Sequence, residues 1–272
     1  MTRIKQTLQP RTLILAAIVV GVLLPFVPLL LWSVSFRWLY PSVLPESLSL
    51  RAWQYVFSPR AEVLSALGYS TLVALLVTAL SILIGLPAGR ALGLYKFRGK
   101  TAVRFLILAP TIVPTLAAAM GIHVLFIRYG LVDNVLGVVL VHLIPVLPYV
   151  VLILSGVFAN YNPDFEAQAQ TLGASAWQRF RHVTLPTIFP ALMVAGLFAF
   201  IISWSQYILT LLIGGGQVVT LPVLLFSFVS SGDNAITAAL SLVFIAPALL
   251  FLLATARYLS GNQASLGGFG KL

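Results

Sequence analysis

Six long apolar runs, separated by more polar segments, dominate this sequence of 272 residues. A helix that crosses the hydrocarbon core of a bilayer needs about 20 predominantly apolar residues, and each of the six runs is at least that long. Because only 8% of the residues are charged, the chain could not cover a water-facing surface with polar groups. The sequence therefore predicts an all-α integral membrane protein. We expect six transmembrane helices, over residues 13–36, 64–95, 105–128, 135–159, 187–209 and 235–258.

The distribution of charge predicts the orientation of these spans. The segments on one side contain twelve Lys and Arg residues against two acids, whereas the segments on the other side contain four Arg residues against four acids. Cytoplasmic loops carry the excess of positive charge, so both termini are predicted to be cytoplasmic. This rule explains the net charge of +10, and we predict a lipid bilayer but no nucleic acid as a partner. The predicted parts are a cytoplasmic segment over residues 1–12, a six-helix domain over residues 13–258 and a cytoplasmic tail over residues 259–272.

A polar stretch over residues 160–186 interrupts the apolar pattern between the fourth and fifth spans. Asn162 before Pro163 is typical of a helix N-cap followed by proline in the first turn. Two acidic residues follow, where the positive end of the helix dipole favours negative charge. Gly173 is typical of the residue just after a helix end. We therefore predict a short helix that ends before Gly173, on the cytoplasmic side.

A second short helix is predicted directly after the first. Ser175 and Gln178 have the spacing of a capping box. Trp177 and Phe180 recur at helical spacing and give this helix an apolar stripe, which we expect to pack against the transmembrane bundle. The Leu-Pro pair at residues 185–186 is expected to end this helix before the fifth span.

Residues 166–174 read Glu-Ala-Gln-Ala-Gln-Thr-Leu-Gly-Ala, and the Leu-Pro pair at residues 185–186 follows at a fixed distance. This order resembles the cytoplasmic loop of the membrane subunits of binding-protein-dependent ABC importers. In that family the loop is a coupling helix that docks into a groove on a separate ATPase subunit. Aligned on Gly173, the Glu-Ala-Ala of the family falls on residues 167–169, so Glu166 lies one place early. The resemblance implies that the coupling residues are Asp164, Glu166, Ala167, Gln168, Ala169, Leu172, Gly173 and Ala174.

The second predicted span carries a further resemblance to this family. It opens with Tyr-Ser-Thr-Leu over residues 69–72 and ends with Gly-Leu-Pro before a basic turn over residues 96–100. Small residues near that end, Gly85, Ala88 and Gly89, permit a close crossing with another helix. The resemblance implies the type I ABC importer permease fold and a bacterial inner membrane as the location.

The resemblance covers about residues 60–260 and implies several protein partners. In this family two permeases form a central path, an ATPase dimer closes beneath them on ATP, and an extracytoplasmic binding protein delivers the substrate. We expect the second permease to be a related chain rather than a copy. This chain has no Gly-x-x-x-x-Gly-Lys-Ser/Thr loop of its own. ATP hydrolysis is therefore assigned to a partner chain, and no catalytic residue or cofactor is predicted here.

Polar residues near the external end of the fifth span are candidates for the translocation path. Ser203, Gln206 and Tyr207 lie at helical spacing, so we expect them to share one face that lines the path. The alternative is an interfacial anchor formed by the aromatic residues among them. The loop that follows resembles the external loop that family members present to the binding protein, with a plain flexible turn as the alternative. Its glycines are Gly214, Gly215 and Gly216.

Local features are expected to modify the helices. Prolines in the first span predict a kink, which neighbouring helices can tolerate. Pro110 and Pro114 in the third span, and Pro145 and Pro148 in the fourth, either shape a cavity or accommodate packing. In the external segment after the first span, residues 49–57 are predicted to form a short helix at the membrane surface.

The ionisable residues bear on the type of protein. Because the sequence contains no cysteine and its histidines are scattered, we predict no metal site and interpret His123 and His142 as hydrogen-bonded residues of the bundle. No Asp, Glu or Lys falls inside a predicted span, although an ion-coupled transporter needs such groups at bilayer depth. An ion-coupled secondary transporter and a membrane-embedded enzyme are the alternatives to a permease subunit.

The pattern is most similar to the importer subgroup that handles polyamines, ferric iron, thiamine and phosphonates. A small polar substrate of one of these types is therefore expected. Polyamine members of the family tend to carry acidic residues near the end of the fifth span, where this chain has Ser205 and Gln206. A path without acids is a poor match to a polycation, although the second permease or the binding protein could supply the charge.

Overall fold

The computed structural model describes residues 10–39 and 41–260, so residues 1–9 of the predicted N-terminal segment and residues 261–272 of the predicted tail lie outside the described residues. The described chain is mostly helical, which confirms the all-α prediction. Its α-helices are α1 (Pro10–Leu23), α2 (Phe26–Ser33), α3 (Arg51–Val56), α4 (Val63–Leu94), α5 (Lys100–Ile112), α6 (Thr115–Arg128), α7 (Val135–Ala159), α8 (Asp164–Thr171), α9 (Ala176–Arg179), α10 (Leu185–Trp204), α11 (Ile208–Gly214), α12 (Leu221–Ser231) and α13 (Asn234–Ser260). Two strands, β1 (Ser35–Arg37) and β2 (Ser47–Leu48), pair antiparallel.

Five stretches of the described chain are long and apolar enough to cross a membrane, and the bent pair formed by α5 and α6 gives a sixth if it counts as one span. The number of spans therefore agrees with the six that the sequence predicts. The five continuous stretches are Leu13–Ser33, Val63–Leu94, Val135–Ala159, Ala176–Trp204 and Asn234–Ala256.

The predicted third span, residues 105–128, is broken into two helices rather than continuous. α5 and α6 are separated by a bend of 101°. Pro114 disfavours a helical conformation for the residue before it, and Val113 is accordingly extended, with φ −73° and ψ 133°. Pro110 and Pro145 lie inside continuous helices and line an apolar cavity of about 340 Å³. Two of the four prolines therefore line a cavity, and Pro114 marks the bend.

The prediction that residues 185–186 end the second loop helix is also wrong. α9 continues through a π-helical segment, Phe180–Thr184, directly into α10. In this segment the N–H of Leu185 donates to the carbonyl of Phe180, five residues back. The wider π turn changes the hydrogen-bond register just before Pro186, so the proline is accommodated at the start of α10 rather than ending the helix. The polar loop and the fifth span thus share one continuous helix.

Residues 205–207 interrupt the predicted fifth span before its expected end. α10 stops at Trp204 and α11 starts at Ile208. Because of this break, Ser203, Gln206 and Tyr207 do not share one helical face, and the spacing argument that grouped them is wrong. A further helix that was not predicted, α12, follows the glycine loop as a short apolar helix.

The described chain divides into two compact units, of which the first contains residues up to 64 and residues 225–245. Its first span is kinked as predicted, because α1 ends just before Pro25 and α2 begins just after it. The predicted short helix over residues 49–57 is confirmed as α3, and its position at a membrane surface stays a prediction. Within this unit Arg51 forms an ion pair of 2.8 Å with Asp233. The strand pair β1–β2 was not predicted, since its three-residue and two-residue strands are too short to give an alternating pattern.

The second unit contains residues 65–224 and the residues from 246 onward. Its core is apolar and is built mainly from α4, α6, α7, α10 and α11. Side chains of this core that are completely buried include Val77, Val138, Val146, Leu154, Ile188 and Ile213.

Within the second unit, α4 and α7 cross at backbone distance along a row of glycines. Gly85, Gly89 and Gly93 lie four residues apart on α4 and face α7. A Cβ on Gly89 would lie 2.6 Å from the Cβ of Leu154 and 3.1 Å from the backbone nitrogen of Ser155. The predicted close crossing is therefore confirmed, with Gly93 rather than the expected alanine as its third member.

Candidate functional site

The helix α8 begins as the sequence predicts. Oδ1 of Asn162 accepts a hydrogen bond of 2.9 Å from the backbone N–H of Asp164. Pro163 already has helical dihedral angles, φ −67° and ψ −15°, so Asn162 acts as the cap and the proline occupies the first turn. Asp164 and Glu166 follow at the positive end of the helix dipole.

The end of α8 also agrees with the prediction. Gly173 has φ +85°, a left-handed conformation that a residue with a side chain adopts only with strain. Its N–H donates to the carbonyl of Gln170 at 2.9 Å, and the N–H of Ala174 donates to the carbonyl of Ala169 at 3.0 Å. These two bonds form a Schellman motif, which satisfies carbonyls at the helix end. The glycine therefore reverses the chain sharply between α8 and α9.

The helix α9 starts with the predicted capping box. The N–H of Ser175 donates to Oε1 of Gln178 at 2.7 Å, and the N–H of Gln178 donates to Oγ of Ser175 at 3.3 Å. Trp177 contacts Phe180, with ring centroids 5.7 Å apart, but its side chain is 64% exposed. The prediction that Trp177 packs against the bundle is therefore wrong, because Trp177 is exposed, whereas Phe180 is half-buried.

The loop presents an exposed apolar surface. Leu172 is 88% exposed and Phe165 is 45% exposed, and Trp177 lies on the following helix. Phe165 and Leu172 lie outside the stretches that are long and apolar enough to cross a membrane. Trp177 lies near the start of the stretch Ala176–Trp204, which contains the fifth span. Among the predicted coupling residues, the exposed ones are Asp164, Ala167, Gln168, Leu172 and Gly173, and the half-buried ones are Glu166, Ala169 and Ala174.

Glu166 does not point outward with the others. Its Oε2 accepts a hydrogen bond of 2.8 Å from Nη2 of Arg90, and its Oε1 accepts bonds of 2.9 Å from the Tyr161 hydroxyl and 2.7 Å from the Thr184 hydroxyl. The Glu166 side chain is only 17% exposed. We call these four residues the Glu166 cluster. Both carboxylate oxygens are therefore engaged inside the chain.

The cluster shifts the pKa values of two of its members that lie outside the spans. Burial would raise the pKa of Glu166, but hydrogen bonds from Arg90, Thr184 and Tyr161, together with the guanidinium charge, outweigh it and lower that pKa. Burial raises the pKa of the Tyr161 hydroxyl. At neutral pH the cluster therefore contains an ionised carboxylate and a neutral tyrosine, which matches the observed donors and acceptors.

Sequence reasoning missed the other members of the Glu166 cluster. Arg90 is separated from Glu166 by 76 residues, and nothing in the local pattern connects them. One signal was present, because Arg90 is the only charged residue inside the second predicted span and a charge in an apolar run requires a partner. Tyr161 and Thr184 lie within the polar stretch but carry no distinctive spacing.

The predicted path residues are placed in different surroundings. Ser203 is buried, and its hydroxyl lies 3.0 Å from Nδ1 of His142, whose Nε2 lies 2.9 Å from Oγ1 of Thr210. This confirms His142 as a hydrogen-bonded residue of the bundle. Gln206 and Tyr207 are half-buried in the break between α10 and α11. In the part of the chain that the structure describes, no group of three His, Asp or Glu residues could hold a metal ion.

The glycine loop follows α11. Gly214 is buried as the last residue of that helix, and Gly215 and Gly216 have positive φ angles of +52° and +81°. A Cβ on Gly215 would overlap Oδ1 of Asp133, so glycine is required there. Gly215, Asp133 and His123 line a cavity of about 490 Å³. His123 makes no hydrogen bond within the described residues, which corrects the prediction that it is hydrogen-bonded.

Comparison with known proteins supports the family interpretation. The model of the family described as "binding-protein-dependent transport system inner membrane component" matches residues 82–260. PhnV of Salmonella typhimurium strain LT2, a permease protein named for 2-aminoethylphosphonate transport, is 29% identical over 232 residues, which cover 85% of this chain and 86% of PhnV. The putrescine transport system permease protein PotI of Escherichia coli strain K12 is 30% identical over 178 residues, which cover 63% of each chain.

A solved structure has the same fold. The crystal structure of a bacterial ABC transporter involved in the import of the acidic polysaccharide alginate superposes with a TM-score of 0.68 at 17% sequence identity, and the alignment covers 91% of this chain and 94% of that one. The permease interpretation is thereby favoured over an ion-coupled transporter or a membrane enzyme. The chain belongs to the binding-protein-dependent transport system inner membrane components, and it is a multi-pass permease subunit of an ABC importer in the inner membrane.

Proposed function

We propose that residues 160–186 are the coupling loop of this permease and bind a separate ATPase subunit through the exposed surface of α8 and α9. The observation that carries the proposal is Leu172, whose side chain is 88% exposed beside the tight turn at Gly173. A leucine left in water forgoes about 1.5–3 kcal/mol of burial free energy. Phe165, seven residues before Leu172, falls near the same side of α8 by helical spacing, and exposed apolar residues that share one side of a helix are typical of a protein contact.

The surroundings of Leu172 have the composition of an interface. Phe165 and Trp177 are further exposed apolar residues of this loop, and aromatic residues are enriched at the centres of protein interfaces. Asp164 and Gln168 are exposed beside them and would form part of a polar rim. Because α9 continues through the π-helical segment into α10, a displacement of the α9 part of this surface would reach the fifth span through one continuous helix.

The remaining partners follow from the family and from the exposed surfaces. We assign a second, related permease to the other half of the substrate path, which Gln206 and Tyr207 would line on this chain. α5 has no buried residue in the described structure, so its apolar surface is available to a second permease or to lipid. The extracytoplasmic binding protein would contact the glycine loop at residues 214–216. Within this scheme, residues 1–12 and 259–272 are the cytoplasmic ends of the chain.

The proposed substrate is a small polar solute. The two relatives compared above are named for 2-aminoethylphosphonate and putrescine, which both contain an amino group. These compounds belong to two of the four expected substrate classes, phosphonates and polyamines; the other two classes are ferric iron and thiamine. On the side predicted to be external, Asp133 presents a carboxylate to the cavity that His123 also lines. This carboxylate would suit an amino group, whereas selection among amines would rest with the binding protein.

Recovery of the ATPase with substituted permeases tests the docking surface. The permease is tagged, extracted with its partners from native membranes, and assayed for ATP hydrolysis. Leu172→Asp is expected to lower the recovered ATPase by at least about tenfold, since a charge in the centre of an apolar interface opposes binding by more than about 1.4 kcal/mol. Val43→Asp is the matched control, because Val43 is 86% exposed and lies in a segment predicted to be external.

Two results would contradict the proposal. Equal recovery of ATPase with Leu172→Asp and the unsubstituted chain would show that this surface does not bind it. Loss of membrane association rather than of ATPase would instead identify the apolar surface as an interfacial lipid contact.

A further inference from the structure

Glu166 lies on α8 within the proposed coupling loop, yet its side chain is turned toward the rest of this chain. Three donors approach the carboxylate of Glu166, at 2.7, 2.8 and 2.9 Å. A carboxylate can accept further bonds, but these donors occupy both oxygens, and the side chain is only 17% exposed. Contact with an ATPase would require the ionised group to leave donors that are already well placed.

The donors come from three separate parts of the chain. Arg90 belongs to α4, Tyr161 follows the end of α7, and Thr184 is the last residue of the π-helical segment that leads into α10. Glu166 itself is in the first turn of α8. One side chain therefore connects the proposed docking helix to three of the membrane-spanning helices.

The side chains and helices around Arg90 are closely packed. The guanidinium of Arg90 lies 5.8 Å from the centre of the Phe158 ring, and that ring makes an edge contact with Tyr161 at 5.8 Å. Arg90 directly follows Gly89, where α4 and α7 touch at backbone distance. Because packed helices of this kind respond as a unit rather than by gradual deformation, a displacement of Glu166 would move α4 and α7 together.

We propose that Glu166 and Arg90 form a positioning pair, which transmits the displacement of α8 to α4 and α7 and does not itself bind the ATPase. This inference rests on the proposed docking function of α8. It assigns different tasks to two sides of one helix: Leu172 and its neighbours bind the partner, whereas Glu166 connects the helix to the spans. Tyr161 and Thr184 orient the carboxylate toward Arg90.

The absence of cysteine from the sequence permits a direct test that needs no knowledge of the substrate. Gln206→Cys, in the break after α10, supplies one thiol whose alkylation rate reports a change in the spans. The complete complex is reconstituted in vesicles of phosphatidylethanolamine and phosphatidylglycerol, and the rate is measured with and without trapping by ATP and vanadate. The reporter chain with no further substitution defines the full response.

We expect Glu166→Gln and Arg90→Gln to retain the ATPase and to trap nucleotide, but to reduce the change in alkylation rate by about tenfold, equivalent to about 1.4 kcal/mol of coupling free energy. The double substitution is expected to reduce it no further than either single one, since both remove the same interaction. Glu46→Gln and Arg104→Gln make the same chemical changes at exposed positions and are expected to leave the response intact.

An exchange of the pair separates a charge interaction from general damage to the fold. Glu166→Arg combined with Arg90→Glu keeps opposite charges together and is expected to restore most of the response, a rescue that a purely structural loss would not show. A full response in Glu166→Gln, or no rescue by the exchange, would overturn the proposal. Loss of the ATPase from Glu166→Gln would also overturn it, by identifying Glu166 as a docking residue; loss of the ATPase from Leu172→Asp bears only on the docking surface.

Discussion

Replacing Gly89 by alanine tests the contact between α4 and α7 on which the positioning pair depends. The new Cβ would lie 2.6 Å from the Cβ of Leu154 and 3.1 Å from the nitrogen of Ser155, whereas carbon atoms in contact lie about 3.5–4.0 Å apart. The helices must therefore separate by about 1 Å. Overpacking of this kind costs about 1–3 kcal/mol, and part of it is offset by about 1 kcal/mol because alanine favours helix over glycine.

A second glycine-to-alanine substitution gains the same helix preference, so the offset cancels when the two variants are compared. Gly156 lies on α7, and a Cβ there would meet nothing within 4 Å, so Gly156→Ala gains the helix preference without the collision. The difference between the two variants therefore isolates the steric cost of about 1–3 kcal/mol. For a protein of this size it corresponds to a difference of roughly 2–12 °C in Tm.

The assay is the fraction of monodisperse protein that remains after heating in detergent, measured by size-exclusion chromatography. We expect the Gly89→Ala variant to lose its native peak at a lower temperature than the Gly156→Ala variant. If the two variants have the same midpoint temperature within about 1 °C, α4 and α7 are not in contact at Gly89. The claim that Arg90 lies on a closely packed pair of helices is then refuted.

Two further predictions concern the polar groups of the bundle and the loop. Because the pKa of Glu166 is lowered in the folded chain, its contribution to stability is complete above the ordinary carboxyl pKa of about 4.3 and is lost as the pH falls through the folded pKa. The difference in Tm between the unsubstituted chain and Glu166→Gln should therefore shrink in that acidic range. A difference in Tm that stays constant down to acid pH would contradict an ionised Glu166. Thr210→Val leaves a buried ring nitrogen of His142 unpaired and is expected to destabilise the chain by about 1–3 kcal/mol, whereas an unchanged Tm would show that the hydrogen bond does not form.

Features specified by nearby residues could be predicted from the sequence. The caps of α8 and α9 were predicted correctly because each depends on residues within four positions, such as Asn162 with the N–H of Asp164 or Ser175 with Gln178. The number of spans was predictable for a similar reason, since the length of an apolar run against the bilayer thickness decides it. The glycine row on α4 was partly visible in the spacing of its small residues.

Features that depend on distant residues were not predictable. The ion pair of Arg90 with Glu166 joins segments 76 positions apart. The residues next to either one in the sequence do not predict that the two side chains meet. The π-helical segment and the break at residues 205–207 likewise follow from packing, because Pro186 predicted an end where the helix continues and no breaker predicted the end at Trp204. The first two of these departures lie where α8 and α10 connect the loop to the spans, and the third lies at the opposite end of α10.

The measurement that tests the central claim most directly is photo-crosslinking from position 172. A photoreactive amino acid replaces Leu172 in the tagged chain, the membranes are irradiated, and the crosslinked product is probed with a photoaffinity analogue of ATP. We predict that the product contains a separate ATP-binding subunit and that the same group at position 43 does not capture it. Crosslinks from position 172 to lipid alone, in membranes where the importer is assembled and active, would contradict the assignment of this loop as the coupling site.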